Sequence, residues 1–187
     1  MTALSQFESG ILFWIQENLR GAFDGAALFI SQLCDYGWFW IALTLLLLCI
    51  RKTRSRALGS AFSLAFAVIS CNLCLKQLIS RTRPYLLFDC LVPLGRPEQD
   101  TSFPSGHTCS SFAAAMAITC MFGKKAGIPA FVLATLIALS RLYLGMHFPT
   151  DVLAGAILGV GCGLAGSAIT KAILRKKNEN TKSAPID

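Results

Sequence analysis

The sequence has few charged residues for its length. Charged side chains account for 14% of the 187 residues and hydrophobic ones for 54%, and the mean hydropathy is +0.58. Soluble domains contain about 25% charged residues, and a soluble chain this apolar would expose large hydrocarbon patches. The shortage of charge therefore argues against a soluble domain and favours a single bundle embedded in a membrane.

The sequence also lacks the pattern of a nucleic-acid site, although its net charge is +7. Its basic residues are not interleaved with stacking aromatics, so we expect no nucleic-acid partner. They form short runs between apolar stretches, which is typical of cytoplasmic loops under the positive-inside rule. The runs lie at residues 51–56, 124–125 and 171–182.

The beginning of the chain has no basic region of the kind that opens a cleavable signal peptide, and we expect no such peptide. Residues 4–19 have apolar and polar side chains on opposite helical faces, which predicts an interfacial helix. Five apolar segments follow, and they predict five transmembrane spans. The spans lie at residues 36–50, 57–75, 108–122, 127–144 and 152–174.

The predicted fold is therefore all-α, a polytopic transmembrane helix bundle. We divide the chain into interfacial amphipathic helices at residues 1–35, a transmembrane bundle that holds the candidate site at 36–175, and a polar basic cytoplasmic tail at 176–187. With the basic runs in the cytoplasm, the connections at residues 77–107 and 143–151 lie on the outer side of the cell membrane. Both histidines of the chain are in these connections.

Two prolines lie where helices are predicted to begin. Pro104 and Pro149 suit the first turn of a helix, where the missing amide hydrogen has no partner to lose. The amides of Ser105, Gly106 and His107 would then be free donors at a helix N-terminus, which is a ready anion site. At the second proline, the carboxylate of Asp151 would reach back to the ring of His147.

Three cations, a hydroxyl, helix amides and two histidines on one side of a membrane suit a tetrahedral oxyanion. Arginine offers a bidentate fork to two phosphate oxygens, and lysine adds a point charge. A metal site would need carboxylates or histidines at ligand spacing, and these cations would repel a metal ion, so we expect no metal and no cofactor. The cations are Lys76, Arg83 and Arg141.

These residues resemble the three signature motifs of the type 2 phosphatidic acid phosphatase superfamily. Those motifs are a lysine, six residues and Arg-Pro; then Pro-Ser-Gly-His; and then Ser-Arg, five residues, a histidine, three residues and an aspartate. The order and the spacing agree across residues 76–151. The matching residues are Lys76, Arg83 and Pro84, then residues 104–107, and then Ser140, Arg141, His147 and Asp151.

The resemblance implies a metal-independent lipid phosphatase or diphosphatase that works through a phosphohistidine. His147 would attack phosphorus, and Asp151 would hold its other ring nitrogen. His107 would protonate the leaving oxygen and then activate water. The implied phosphate-binding residues are Lys76, Arg83, Ser105, the Gly106 amide and Arg141.

The substrate implied by the resemblance is a membrane lipid. The compact layout resembles short bacterial members and favours hydrolysis of undecaprenyl diphosphate to undecaprenyl phosphate, with phosphatidylglycerophosphate or phosphatidic acid as alternatives. A non-enzymatic lipid transporter or scramblase on the same scaffold is the alternative of another class. Haloperoxidase activity with vanadate is disfavoured, because such enzymes are soluble and larger.

Two features leave alternatives open. The stretch at residues 85–103 is long enough to be a lid or a lateral opening for lipid, and an ordinary surface loop is equally compatible with it. Gly155, Gly159 and Gly163 form a small-residue face that permits close helix contact. That contact can lie within the chain or join two copies in a dimer.

Overall fold

A computed structural model describes residues 3–182 of the chain, and the regular structure in that part is helical throughout. The predicted all-α class is confirmed. A 3-10 turn, Asp35–Gly37, precedes the third helix, and a π-helical stretch, Val68–Leu75, joins the fourth to the fifth. The helices are α1 (Ala3–Asn18), α2 (Asp24–Gln32), α3 (Trp38–Cys49), α4 (Arg54–Ala67), α5 (Lys76–Leu78), α6 (Pro84–Leu87), α7 (Gly106–Phe122), α8 (Lys124–Tyr143) and α9 (Pro149–Lys182).

Among residues 3–182, three helical stretches are long and apolar enough to cross a membrane, namely Arg54–Leu78, Lys124–Tyr143 and Pro149–Asn180. The helix α2 and the segment Asp35–Cys49 meet the same requirement only together, as a pair bent by 43°. Alone, α3 rises about 18 Å, which is short of a hydrocarbon core of about 30 Å. The predicted boundary at residue 35 therefore falls inside the bent pair, and the count of five spans stays a prediction.

The helix α7 is the centre of the bundle and packs against α4, α8 and α9. Its alanines Ala113, Ala114, Ala115 and Ala117 are almost completely buried. Such small side chains let neighbouring helices approach closely, which is how helices associate in lipid. Gly123, with a φ of 90°, ends α7 and permits the sharp turn into α8.

The glycine face of α9 lies against α7 of the same chain. A Cβ atom added at Gly159 would lie 2.4 Å from the carbonyl oxygen of Cys109, and one at Gly163 would lie 2.5 Å from the Cβ of Met116. Gly155 meets the beginning of α7 in the same way. Of the two alternatives for this face, the structure shows contact within the chain, and α7 covers these positions.

Helix direction places the predicted site residues at one end of the bundle. At this end α5 and α8 finish, and α7 and α9 begin. The connection at residues 79–105 meets the tight turn at 144–148 there, and α9 begins at Pro149 as predicted. The basic residues of the first two runs, at residues 51–56 and 124–125, lie at the opposite end.

Gly159→Ala is expected to lower the free energy of unfolding by about 1–3 kcal/mol, because the new methyl group would overlap the backbone of α7. Gly161→Ala is the matched control, since a Cβ atom added there would meet nothing within 4 Å. Thermal unfolding in detergent, followed by circular dichroism, measures the difference. Equal midpoints for the two variants would show that Gly159 is not a close contact.

Candidate active site

Three buried cationic side chains define the site. Lys76, Arg83 and Arg141 have 8%, 1% and 3% of their surface exposed, and we call them the cationic cradle. A buried charge without a partner is strongly destabilising. All three cations pair with carboxylates from one short segment, Glu98 and Asp100. This segment belongs to the connection between α6 and α7, and we call residues 88–103 the cap loop.

Glu98 lies at the centre of the cradle. One of its carboxylate oxygens is 2.5 Å from Arg83 Nη2, and the other accepts a hydrogen bond from Arg141 Nη2 at 2.6 Å. Burial alone would raise the pKa of this carboxyl, but the positive charges of the two arginines lower it to about 2. His107 Nδ1 and His147 Nε2 each lie 3.8 Å from one of its oxygens. The carboxylate thus sits among four of the residues predicted to act on phosphate.

Asp100 completes the pairing of the cradle. Its carboxylate pairs with the Lys76 ammonium and the Arg83 guanidinium, and Arg83 Nε donates to its main-chain oxygen at 2.8 Å. The Tyr85 hydroxyl donates to the main-chain oxygen of Glu98 at 2.5 Å. These contacts hold the cap loop over the cradle. Of the alternatives for residues 85–103, the geometry corresponds to a cover over the site.

Hydrogen bonds fix the ring of His147 in one tautomer. Its Nδ1 lies 2.7 Å from the main-chain oxygen of Ser102, which can only accept, so Nδ1 carries the proton. Its Nε2 lies 3.3 Å from Arg83 Nη1, which can only donate, so Nε2 presents a lone pair. Burial lowers the pKa of His147 to about 4, and the positive charges of Arg141 and Arg83 act in the same direction. The ring is therefore neutral at pH 7, with its unprotonated nitrogen facing the cradle.

The carboxylate of Asp151 acts on His147 from a greater distance than the sequence predicts. Its Oδ2 lies 3.8 Å from Nδ1, which is an ion-pair distance but too long for a hydrogen bond. The same oxygen accepts from Ser102 Oγ at 2.6 Å and from the Phe148 amide at 2.9 Å. The Ser102 carbonyl therefore stands nearer to the ring. Asp151 thus holds Ser102, whose carbonyl accepts the hydrogen bond from the ring, and Phe148, which follows the histidine.

His107, in the first turn of α7, has a partner that the sequence analysis did not single out. Its Nε2 lies 3.0 Å from the carboxylate of Asp35 in the 3-10 turn before α3. Because a carboxylate only accepts, Nε2 carries the proton and Nδ1 is the nitrogen that faces Glu98. Ser111 donates to the His107 main-chain oxygen at 2.7 Å, which adds a second hold on this residue.

The beginning of α7 differs from the prediction. The helix starts at Gly106 with Ser105 as its cap, so Pro104 precedes the cap instead of lying in the first turn. The Ser105 amide is not free, because it donates to the main-chain oxygen of Asp151 at 3.0 Å. The Ser105 hydroxyl is fully buried and accepts from Thr108 Oγ1 at 3.0 Å. The phosphate-binding role of the Ser105 hydroxyl stays a prediction, and the Gly106 amide remains as the predicted donor at the helix end.

A fourth cation, Arg81, turns away from the cradle. It donates to Asp151 Oδ1 at 2.6 Å and to Glu8 Oε2 at 2.7 Å, and it lies over the ring of Phe148 at 4.1 Å. Glu8 is 1% exposed, and its other oxygen accepts from the Thr150 amide at 2.9 Å. The helix α1, predicted only as an interfacial element, is thus tied to the beginning of α9 beside the site.

Fold and site together define a class of protein. A helical bundle for a membrane, with a buried cationic cradle and a neutral histidine aimed into it, suits the binding and transfer of a phosphoryl group. Among residues 3–182, no three His, Cys, Asp or Glu side chains are grouped so that they could hold a metal ion.

Comparison with known proteins gives the family. The model of the PAP2 superfamily matches residues 56–175, and the chain belongs to this superfamily of membrane phosphatases, as the motifs predict. The chain is 30% identical to an undecaprenyl-diphosphatase of Sulfolobus acidocaldarius over 147 residues, which cover 78% of this chain and 69% of that protein. It is 32% identical to a decaprenylphosphoryl-5-phosphoribose phosphatase of Mycolicibacterium smegmatis over 152 residues, covering 79% and 81%. The solved PAP2-type phosphatidylglycerolphosphate phosphatase of Bacillus subtilis superposes with a TM-score of 0.77 at 25% identity, covering 92% of this chain and 89% of that one.

Glu8→Gln is expected to lower the free energy of unfolding by about 1–3 kcal/mol. The carboxylate of Glu8 has two oxygens that accept hydrogen bonds, one from Arg81 and one from Thr150, whereas the amide of glutamine has only one accepting oxygen. Glu17→Gln is the matched control, because Glu17 is exposed on the same helix. Chemical unfolding in detergent compares the two variants with the parent protein. Loss of stability in both, or in neither, would contradict the inferred link between α1 and α9.

Proposed function

We propose that this chain hydrolyses a lipid diphosphate, undecaprenyl diphosphate in the first place, through a phosphohistidine at His147. The observation that carries the proposal is the neutral His147 ring, whose Nε2 lone pair faces the cationic cradle. Arg141 adds support: its Nε is buried and has no hydrogen-bond partner among the described residues. A buried donor of this kind suits a phosphoryl oxygen.

In the first step, Nε2 of His147 attacks the terminal phosphorus. The bond between phosphorus and the leaving oxygen breaks, and His107, which carries protons on both ring nitrogens in this step, gives its Nδ1 proton to that oxygen. Lys76, Arg83 and Arg141 stabilise the charge that builds on the non-bridging oxygens. The products of this step are the lipid monophosphate and a phosphorylated His147.

In the second step, His107 takes a proton from water, and the water oxygen attacks the phosphohistidine. The bond between phosphorus and Nε2 breaks, which releases inorganic phosphate and restores the neutral ring. Throughout, the Ser102 carbonyl keeps the proton on Nδ1 and so directs the chemistry to Nε2. These steps need no metal ion.

A lipid substrate suits the surroundings of the site. Leu86 and Leu87 on α6 and Val92 in the cap loop are all more than half exposed beside the cradle. Exposed apolar side chains at a membrane boundary favour contact with an acyl or prenyl chain. The relatives named above act on polyprenyl phosphates and on phosphatidylglycerolphosphate, by their names. Phosphatidylglycerophosphate and phosphatidic acid are therefore the alternative substrates.

We place the site at the extracytoplasmic face of the cell membrane. This placement is supported by the distribution of charge along the bundle, because the basic connections lie at the end opposite to the cradle. Basic connections favour the cytoplasm. A substrate presented on the outer leaflet would then meet the cap loop directly.

A phosphate-release panel tests the proposal. Purified protein is given undecaprenyl diphosphate, phosphatidylglycerophosphate and phosphatidic acid in mixed micelles, with and without chelator. We expect the fastest release from the diphosphate, no effect of chelator, and a loss of at least about 10³-fold in His147→Ala. Full activity in that variant would sink the phosphohistidine mechanism, and loss of activity in chelator would sink metal independence. A transporter would tolerate the same substitution.

The pH dependence of kcat/KM tests the state of His147. A nucleophile whose pKa is about 4 is neutral above that pH, so its activity is retained below pH 6 and is lost as the pH falls through about 4. An ordinary histidine would lose activity near pH 6.5. The rates are calculated from the concentration of substrate whose terminal phosphoryl group is dianionic, which removes the effect of the substrate's own ionisation on the rate. An acid limb centred near 6.5 would contradict the buried, neutral ring.

A further inference from the structure

The carboxylate of Glu98 occupies the position that a phosphoryl group needs. It pairs with Arg83 and Arg141, and both histidines face it at 3.8 Å. A phosphorus atom under attack by His147 has to lie within reach of the same nitrogens and the same guanidinium groups. The carboxylate and the substrate therefore exclude each other.

The cap loop is built to keep Glu98 in this position. The Tyr85 hydroxyl holds the main-chain oxygen of Glu98 at 2.5 Å. Farther along the loop, Leu91 is 3% exposed and packs with Leu12 of α1. Gln16 of α1 donates to the Cys90 main-chain oxygen at 2.9 Å and accepts from the Val92 amide at 2.8 Å. The loop is thus anchored at the acidic segment and ahead of it, and opening it costs contacts.

The charges give this carboxylate a selective effect. Displacing Glu98 removes one negative charge from the two arginines, and the incoming group has to supply at least as much. A phosphodiester carries one negative charge and only replaces what is lost, while the cost of opening remains. A phosphomonoester or a terminal diphosphate group carries close to two negative charges at pH 7 and leaves a surplus. Glu98 therefore sets a threshold: it weakens the binding of both kinds of group by the same amount, and only the group with surplus negative charge still binds well to the cations.

We propose that Glu98 is a specificity-determining residue, a built-in competitor that admits dianionic terminal phosphoryl groups and keeps the phosphodiester head groups of bulk membrane lipids out of the cradle. The inference rests on the proposed function, because it assumes that the cradle receives the substrate's phosphate. The inference also explains why a site that binds anions contains an acidic side chain. Phosphodiester lipids surround such a site, so without Glu98 even weakly bound lipids would occupy the cradle.

Binding of two small ligands tests the proposal without relying on activity. Methyl phosphate is a monoester dianion and dimethyl phosphate is a diester monoanion of similar size. Their dissociation constants are measured by titration calorimetry at pH 7.5 on the parent protein and on Glu98→Gln. We expect both ligands to bind at least about tenfold more tightly to the variant, which corresponds to about 1.4 kcal/mol, so that dimethyl phosphate becomes a measurable ligand. Asp89→Asn is the matched control, because Asp89 is an exposed carboxylate in the same loop, and its two dissociation constants should equal those of the parent protein.

A second measurement uses the lipid itself. Phosphate release is assayed in mixed micelles with increasing phosphatidylglycerol, a phosphodiester lipid, and we expect inhibition of Glu98→Gln at concentrations that leave the parent protein unaffected. If Glu98→Gln fails to fold, Tyr85→Phe replaces it, since this change loosens the hold on Glu98 and keeps every charge. Unchanged affinity for both methyl esters in a folded variant overturns the proposal. Absence of phosphate release from every lipid, with the gain in ligand affinity intact, overturns the proposed function instead.

Discussion

Lys76, Arg83 and Arg141 lie almost completely buried at the end of a helical bundle whose outer side chains are apolar. Charges in such a place stay ionised only with close partners, because desolvation of each ion opposes burial. The pairing is supplied from the cap loop by Glu98 and Asp100. This requirement explains why the cap loop lies over the cradle although it has no helix or strand of its own. A phosphorylated ligand meets the same requirement, so binding is an exchange of one set of anions for another.

The cations also set the protonation state of His147, the proposed nucleophile. Arg83 donates toward Nε2 of His147 and so keeps the proton on the opposite nitrogen, where the Ser102 carbonyl accepts it. Burial lowers the pKa of this ring to about 4, and the neighbouring arginines reinforce that effect. A weakly basic imidazole is a poorer nucleophile but a better leaving group from phosphorus. In the proposed mechanism, this arrangement would favour breakdown of the phosphohistidine as much as its formation, and the cradle would compensate the first step by polarising the phosphoryl group.

The three cations of the cradle, both histidines and Asp151 could be predicted because their order and spacing match the motifs of the family. The basic runs also place the connections that carry them on one side of the membrane, and the structure brings these residues together. The residues that complete the site could not be predicted. Glu98 and Ser102 lie in the cap loop, where no periodicity gives the direction of a side chain. Asp35 reaches His107 only because α2 and α3 bend at the 3-10 turn, and the sequence analysis divided the chain there. The prediction of a free amide at Ser105 was wrong, because this amide donates to a main-chain oxygen at the beginning of α9, which no local pattern reveals.

Ion pairs of the same kind hold the helix α1 against the bundle beside the site. Arg81 stands between Asp151 and Glu8, and a guanidinium shared by two carboxylates holds both at fixed distances. Glu8 in turn takes the Thr150 amide at the beginning of α9, a position where negative charge is favourable. The carboxylate beside the nucleophile is therefore positioned from the first helix as well as from its own. Because the carboxylates of Glu8 and Asp151 are both shielded from water, moving α1 away would leave Asp151 with an unshared guanidinium and loosen the turn that carries His147.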